Sequence, residues 1–162
     1  AINNKTFKVA DSQVATRWGN ITEFEKFDLI TPNEREARFA IADQDSTVGK
    51  LSGLLLKASK CKNLILKLGD RGVFCATSKI NEKNSYFSID SFVNNIVDPV
   101  GAGDALLAYS TLSMLSTKSL VISSIIGSIA AACECEKDGN IPIKPENIIE
   151  KINHLEKQTN YK

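Results

Sequence analysis

The chain has little of what marks a nucleic-acid-binding or membrane protein. Its 162 residues contain 20 Lys plus Arg and 19 Asp plus Glu, so the balanced charge offers no electrostatic attraction for nucleic acid or an anionic lipid surface. The longest apolar stretch, LVISSIIGSIAAAC, covers residues 120–133 and includes serines. It is shorter than the roughly 20 residues that a membrane-spanning helix requires. We therefore expect neither nucleic acid nor a membrane as a partner.

Cysteine and histidine are also sparse, which argues against a zinc site. Cys133 and Cys135 are separated by one residue, which is the wrong spacing for a zinc knuckle, and no histidine lies near them. The only histidine is His154, in a predicted exposed helix. With Cys61 and Cys75, the four cysteines are interpreted as reduced, mostly buried thiols of a cytosolic protein.

Strand and helix patterns alternate along the chain. Strands are predicted within FKVADSQ, ending near Asp11, and within KFDLITPN, stopped by Pro32. Further strands are predicted at 63–69, 73–78 and 85–90, and helices at 34–42, 47–60, about 102–116, 119–135 and about 146–157. The strand at 85–90 alternates and is expected to pair with its neighbour as an antiparallel hairpin. This order predicts a single α/β domain with a mostly parallel sheet flanked by helices. Ligands of such sheets bind beyond the carboxyl ends of the strands.

Lys67 stands at that edge, near the end of the apolar strand NLILKLG. A lysine so placed either extends to water or meets an anion, because an unpaired buried ammonium is very costly. The following GDRG turn, with Gly69 and Gly72, allows the backbone to approach a ligand closely. It matches neither the dinucleotide fingerprint nor a Walker A loop, and an ordinary solvent-facing lysine explains Lys67 equally well.

TPNERE follows the second strand and supports two interpretations. Asn33 and Glu36 have the spacing of a capping box, which is a sufficient structural explanation. The same two residues could also orient phosphate and a hydrated metal ion, since a hard divalent cation needs only one or two carboxylates. The two roles are compatible, because a capped helix start also tolerates anions.

The segment IVDPVGAGDALLAYS, residues 96–110, places two of only nine glycines at the start of a helix. Gly101, Ala102 and Gly103 would present unbonded backbone N–H groups at the positive end of the helix dipole, which suits a negative oxygen. Asp104 in the first turn would then be an ionised, well-oriented proton acceptor for phosphoryl transfer. The structural alternative is a glycine-rich turn with an ordinary first-turn acid, and Asp98 could simply initiate a turn.

Three motifs together resemble the PfkB/ribokinase family of carbohydrate kinases. VDPVGAGDALLA is similar to the family's Asp-Thr-x-Gly-Ala-Gly-Asp motif, LITPNEREA to its Asn-x-x-Glu element, and LILKLGDRGVF to its nucleotide-phosphate loop. They occur in the family's order over residues 28–140. The resemblance implies a ribokinase-like fold, ATP as the phosphoryl donor, Mg²⁺, and a sugar hydroxyl as the acceptor.

The resemblance also implies roles for individual residues. Asp104 matches the catalytic base, Gly101, Ala102 and Gly103 the anion hole, Asn33 and Glu36 the phosphate and magnesium element, and Lys67, Gly69 and Gly72 the nucleotide loop. Asp98 and the Val100 backbone fall where many members hold a monovalent cation such as K⁺. AACECEKDGN, with Gly139 as its turn, corresponds to the segment beside adenine that closes the cation site.

The chain departs from the family pattern in several places. Pro99 and Val100 replace threonines, Leu106 replaces a common phenylalanine, and Glu134 replaces a small residue, so that it is either exposed or alters the cation site. Family members are about twice this length. The family's sugar-binding first half and β lid have no counterpart here, so we expect a C-terminal half whose exposed sheet edge and apolar face favour self-association.

These expectations leave several functions open. The combination ADSQ…RWG…KFDLITPNEREA resembles the heptose-phosphate kinase module of ADP-heptose synthases. The first hypothesis is a part of an active ATP-dependent sugar kinase, inactive on its own. The second is a non-catalytic nucleotide-binding or interaction module. A third, more distant one is a nucleoside or vitamin kinase of the same superfamily. Asp104 favours the first, because a pure binding module has no need of it.

Overall fold

The computed structural model describes residues 6–12, 20–78, 86–139 and 141–160, and the statements below concern those residues. Arg17–Gly19, from the RWG tripeptide, lie outside them. The chain divides into two compact units, Ala1–Asp90 and Ser91–Lys162. Each unit is described by itself, and the assignment of one domain remains a prediction.

The first unit is built on a five-stranded mixed sheet. Its strands are β1 (Val9–Ala10), β2 (Leu29–Ile30), β3 (Asn63–Lys67), β4 (Val73–Thr77) and β5 (Tyr86–Ile89), and they lie in sequence order across the sheet. The pairs β1–β2 and β2–β3 are parallel, whereas β3–β4 and β4–β5 are antiparallel. The predicted antiparallel hairpin is confirmed. The prediction of a mostly parallel sheet is correct only for β1, β2 and β3.

The lengths of the connections explain this mixture. Between β2 and β3 the chain forms two helices, α1 (Glu34–Ile41) and α2 (Val48–Ser59), and such a crossover is what parallel neighbours need. Between β3 and β4 there is only a single 3₁₀ turn, Gly69–Arg71, which is too short for a crossover. The chain must therefore turn back on itself, and β4 runs antiparallel to β3.

The core of the first unit forms between α2 and one face of the sheet. Leu51 and Leu55 of α2 are fully buried together with Leu64 and Leu66 of β3. Ile65, which points to the other face of the same strand, is also fully buried. An exposed apolar sheet face, expected from the sequence, is therefore not found in the central strands, because both sets of alternating side chains are covered.

The described residues of the second unit form three helices: α3 (Ala102–Thr117), α4 (Leu120–Cys135) and α5 (Pro145–Asn160). Ser119 caps α4 by accepting a hydrogen bond from the N–H of Ile122. An apolar cluster of α4 and α5 includes Ile129, Cys133 and Ile148. None of the helices in the described part of the chain is long and apolar enough to cross a membrane.

None of the four cysteines forms a disulfide, in agreement with the prediction of reduced thiols, and three of them are buried. Burial raises the pKa of Cys61 and of Cys133, and it also raises the pKa of the partly exposed Cys135. Raised pKa values keep thiols protonated and unreactive at neutral pH. These cysteines therefore have a packing role.

Asp28 ties the start of β2 to both neighbouring strands. Its carboxylate accepts hydrogen bonds from the Lys8 N–H at 2.8 Å and from Lys62 Nζ at 2.6 Å. Burial alone would raise the pKa of Asp28, but these hydrogen bonds and the positive charges outweigh it and hold the pKa below its ordinary value. A lowered pKa means that the ionised form stabilises the fold.

We therefore expect Asp28→Asn to lower the free energy of unfolding at pH 7 by about 1 kcal/mol. This contribution is present above the unfolded-state pKa of about 4 and is lost as the pH falls through the lower folded-state pKa. Urea denaturation between pH 7 and pH 3 measures this dependence. The free energies of unfolding of Asp28→Asn and of the native chain should become equal as the pH falls. The control is Asp70→Asn on the exposed Gly69–Arg71 turn, which should change stability little at any pH. A difference between Asp28→Asn and the native chain that does not depend on pH would contradict the assignment.

Candidate active site

Asn33 and Glu36 form the predicted capping box at the start of α1. Asn33 Oδ1 accepts the Glu36 N–H and Glu36 Oε2 accepts the Asn33 N–H, both at 2.8 Å. The structural interpretation of these residues is thus confirmed. The capping box leaves Asn33 Nδ2 and Glu36 Oε1 outside it, so both side chains retain a polar atom for a ligand.

Lys67 meets an anion instead of extending to bulk water. Its ammonium lies 2.5 Å from Asp11 Oδ2, and both side chains are about one-fifth exposed, at 19% each. Its backbone N–H donates to the Pro32 carbonyl at 2.9 Å, which joins the end of β3 to the residues after β2. Asp11 was not among the predicted site residues. The signal available for it was its place directly after β1, at the carboxyl edge of the predicted sheet.

Glu36 lies in the same charged cluster, and only 6% of it is exposed. Burial raises the pKa of Glu36 above its usual value, the Asn33 N–H and the Lys67 charge lower it, and the negative charge of Asp11 raises it again. An interaction with the Ser12 side chain lowers this pKa to a smaller extent. Asp11, Glu36 and Lys67 therefore act on one another electrostatically.

The turn after Lys67 has the backbone geometry that only glycine adopts easily. Gly69 and Gly72 have φ angles of 66° and 82°. The Leu68 N–H donates to the Gly72 carbonyl at 2.9 Å and the Gly72 N–H donates to the Gly69 carbonyl at 3.1 Å, so the loop is closed by its own backbone. A Cβ on Gly69 would meet no atom within 4 Å, which leaves its outer side open.

A pocket of about 420 Å³ brings three of the predicted residues together. It is lined by Asn33, Lys67 and Gly69 and also by Glu34, Arg35, Arg38, Gln44 and Leu68. Its volume is within the range of small-molecule sites. The Arg38 guanidinium donates hydrogen bonds to the Glu34 carboxylate and to the carbonyls of Asp43, Gln44 and Ser46. These hydrogen bonds fix the position of Arg38 in the wall of the pocket.

The glycine-rich segment of the second unit begins α3 as predicted. Gly101 is the N-cap, with a left-handed φ of 87°, and Ala102 is the first helical residue. The Ala102 N–H donates to the Pro99 carbonyl at 3.3 Å, which corrects the expectation that every amide here is unbonded. Within the described part of the chain, the N–H groups of Gly103 and Asp104 have no backbone acceptor, as expected of a first helical turn.

Asp104 and Asp98 differ in their surroundings. The Asp104 side chain is exposed in the first turn of α3. Asp98 Oδ1 accepts the Val100 N–H at 3.0 Å, so the turn-forming role proposed for Asp98 is present in the structure. The N–H groups of Val97 and Asp98 both donate to the Cys135 carbonyl, which attaches this turn to the end of α4.

The end of α4 and the turn that follows it contain Glu134 and Gly139. Gly139 has a left-handed φ of 78° and forms a turn in which its carbonyl accepts the Ile141 N–H at 2.9 Å. Glu134 is 2% exposed, and its carboxylate has no hydrogen-bond partner among the described residues. Of the two alternatives given by the sequence, an exposed Glu134 is therefore wrong.

The described residues contain no cluster of three or more His, Cys, Asp or Glu side chains that could bind a metal by themselves. Mg²⁺ does not require one, because it usually keeps several waters and binds through one or two carboxylates plus substrate phosphates. Glu36, with an oxygen outside the capping box and a second carboxylate nearby, fits that requirement.

Comparison with known proteins decides the family. Residues 1–147 match the model of the pfkB family carbohydrate kinases. The chain belongs to this family. Among curated relatives of this pfkB chain, the bifunctional protein HldE of Citrifermentans bemidjiense is 25% identical over 138 residues, which is 83% of the chain and 27% of HldE. HldE of Helicobacter pylori is 28% identical over 123 residues, 74% of the chain and 26% of HldE.

Solved structures show the ribokinase-like α/β fold. The ribokinase of Thermotoga maritima has 28% identity and a TM-score of 0.69, covering 83% of the pfkB chain and 45% of the ribokinase. Arabidopsis thaliana ribokinase, solved with ribose and ATP, has 21% identity and a TM-score of 0.73, covering 89% of the chain and 46% of that enzyme. The chain thus spans about a quarter of the HldE proteins and less than half of these ribokinases.

Proposed function

We propose that the chain carries the ATP site and the catalytic aspartate of an ATP-dependent sugar kinase. The observation that supports this most strongly is the start of α3, where a left-handed Gly101 begins the helix and an exposed carboxylate, Asp104, lies in its first turn. Amides there can neutralise a phosphoryl oxygen, and Asp104 can accept the proton of the attacking hydroxyl.

The first unit would supply the nucleotide contacts. Lys67 offers a positive charge beside the backbone loop of Gly69 and Gly72, and Asn33 Nδ2 can donate to a phosphate oxygen. Glu36 would hold Mg²⁺ through its free oxygen, and the ion, when bound, neutralises phosphate charge. Asp98 and the Val100 backbone remain candidates for a monovalent cation; Escherichia coli phosphofructokinase-2, a structural neighbour, has been solved in complex with potassium.

The acceptor that we propose is a sugar phosphate of the heptose class, and the support is the similarity to HldE proteins. We also propose that the 162-residue chain alone does not turn over a sugar, because it spans under half of the ribokinases that it resembles. The same observation supports the second candidate function, a nucleotide-binding module without catalysis. We place the protein in the cytoplasm and expect association between copies through the edge strands.

We expect the chain to bind ATP with Mg²⁺ weakly, with a Kd of about 0.1–1 mM, and to release no ADP when sugars are added. Isothermal titration calorimetry measures the binding, and a coupled ADP assay measures the release. Lys67→Met should weaken binding, whereas Lys57→Met, which removes an exposed lysine of α2, should not. No binding at about 10 mM ATP would contradict the ATP site. Sugar-dependent ADP release by this chain would contradict its proposed inactivity.

A further inference from the structure

Glu134, near the end of α4, is a buried carboxylate without a hydrogen-bond partner in the described part of the chain. Only 2% of the residue is exposed, and neither carboxylate oxygen is bonded. Two lysines of the same unit are engaged elsewhere: Lys137 Nζ donates to Asn147 Oδ1 at 3.0 Å, and Lys151 Nζ donates to Glu136 Oε1 at 2.6 Å. Because an isolated buried carboxylate is very costly, its surroundings must supply positive potential from another source.

The helical register of α4 directs the Glu134 side chain toward α3. Glu134 follows Gly127 by seven residues, which is almost two full turns, so both lie on the same face of α4. A Cβ on Gly127 would meet Leu106 and Ser110 of α3, so this is the face that packs on α3. The two helices run antiparallel, because only residues 118–119 join them.

The residues opposite Glu134 are those that begin α3. Since the helices are antiparallel, seven residues further along α4 correspond to seven residues back along α3, which leads to residues 99–103. Hydrogen bonds show that the two segments are still close at this level: the N–H groups of Val97 and Asp98 donate to the Cys135 carbonyl at 2.8 and 3.1 Å. The positive end of the α3 dipole is therefore the source of positive potential that Glu134 meets.

We propose that Glu134 is a resident negative charge that weakens the binding of phosphate at the start of α3. The inference rests on the proposed ATP site and concerns the strength and the charge selectivity of that site. Gly103 and Asp104 have N–H groups without a backbone acceptor, and these are the groups that a phosphate oxygen would use. Because Glu134 is buried, its charge acts on them through protein, and salt screens it little. A phosphate and Glu134 thus compete for the same dipole, and the site disfavours a ligand more as its negative charge increases.

The test compares ATP with uncharged adenosine on the 162-residue chain and on Glu134→Gln, which keeps the size of the side chain and removes its charge. Titrations with Mg²⁺ present are followed through the amide signals of the ¹⁵N-labelled proteins. We expect Glu134→Gln to bind ATP about tenfold more tightly, because a like charge about 10 Å away through protein weakens binding by about that factor. Its affinity for adenosine should change by less than about twofold. The control is Asp138→Asn, which removes an exposed charge just after α4 and should leave both affinities unchanged.

The outcomes separate this inference from the proposed function. If Glu134→Gln binds ATP no more tightly than the native chain, or binds it less tightly, the inference is overturned while the ATP site stands. An equal gain for ATP and adenosine also overturns it, since that result would come from packing and not from charge. If neither protein binds ATP at about 10 mM, the proposed ATP site fails and the inference with it. If Glu134→Gln does not fold, as judged by circular dichroism, Glu134→Ser decides by the same comparison.

Discussion

Replacing Asp104 with Asn is expected to lower the rate of sugar phosphorylation by at least about a thousandfold, in a protein that contains this chain and phosphorylates a sugar. Asn keeps the size of the side chain but cannot accept the proton of the attacking hydroxyl. ATP affinity should change less than about threefold, because the amides at the start of α3 are unaffected. Steady-state kinetics and calorimetry on the same preparation measure the two effects.

The control for this experiment is Asp90→Asn, which removes an exposed carboxylate that has no proposed role. Its turnover should match that of the native protein. If Asp104→Asn retained native turnover, Asp104 would not be the base. If instead it lost ATP affinity in parallel with turnover, its role would be in binding the nucleotide.

Helices α3 and α4 approach each other closely at Gly127. A Cβ built on Gly127 would lie 2.0 Å from Ser110 Oγ and 2.9 Å from the Leu106 carbonyl oxygen. The serine hydroxyl can rotate, but the backbone carbonyl of α3 cannot move without separating the helices. We therefore expect Gly127→Ala to lower the free energy of unfolding by about 2 kcal/mol, although alanine favours a helix by about 1 kcal/mol.

The matched control is Gly53→Ala in α2, because a Cβ there would meet no atom within 4 Å. That substitution should raise the free energy of unfolding by about 0.5–1 kcal/mol, from helix propensity alone. Urea denaturation of both variants measures these changes in the free energy of unfolding, which should have opposite signs. A Gly127→Ala protein as stable as the Gly53→Ala protein would show that the helices do not pack at this point.

Much of the fold could be predicted because its elements follow local patterns. The capping box of Asn33 and Glu36 and the buried run ending at Lys67 are contained within a few residues, and the structure has them as expected. The periodicity of the sequence does not predict the direction of β4 relative to β3. That direction is set by the short turn at Gly69–Arg71, which forces β4 to run antiparallel. Alternation of apolar residues reports a strand, not the direction of its neighbour.

The charged cluster could not be predicted in full, because its contacts are distant in sequence. Asp11 and Lys67 are separated by 56 positions, and which anion meets a lysine depends on the order of strands. Glu134 shows the same limit: nothing in its neighbours along the chain indicates that its carboxylate is buried. Whether the Ala102 N–H finds an acceptor likewise depends on the backbone conformation of the turn at Pro99, whose carbonyl accepts it.

We propose that the amides at the start of α3 bind a phosphate of ATP, and the other assignments depend on this contact. The most direct measurement is the ¹⁵N–¹H spectrum of the labelled chain during titration with ATP and Mg²⁺. We expect the amide signals of Gly101, Gly103 and Asp104 to shift together and to saturate with the calorimetric Kd. Saturable ATP binding that leaves these three amides unshifted would contradict it.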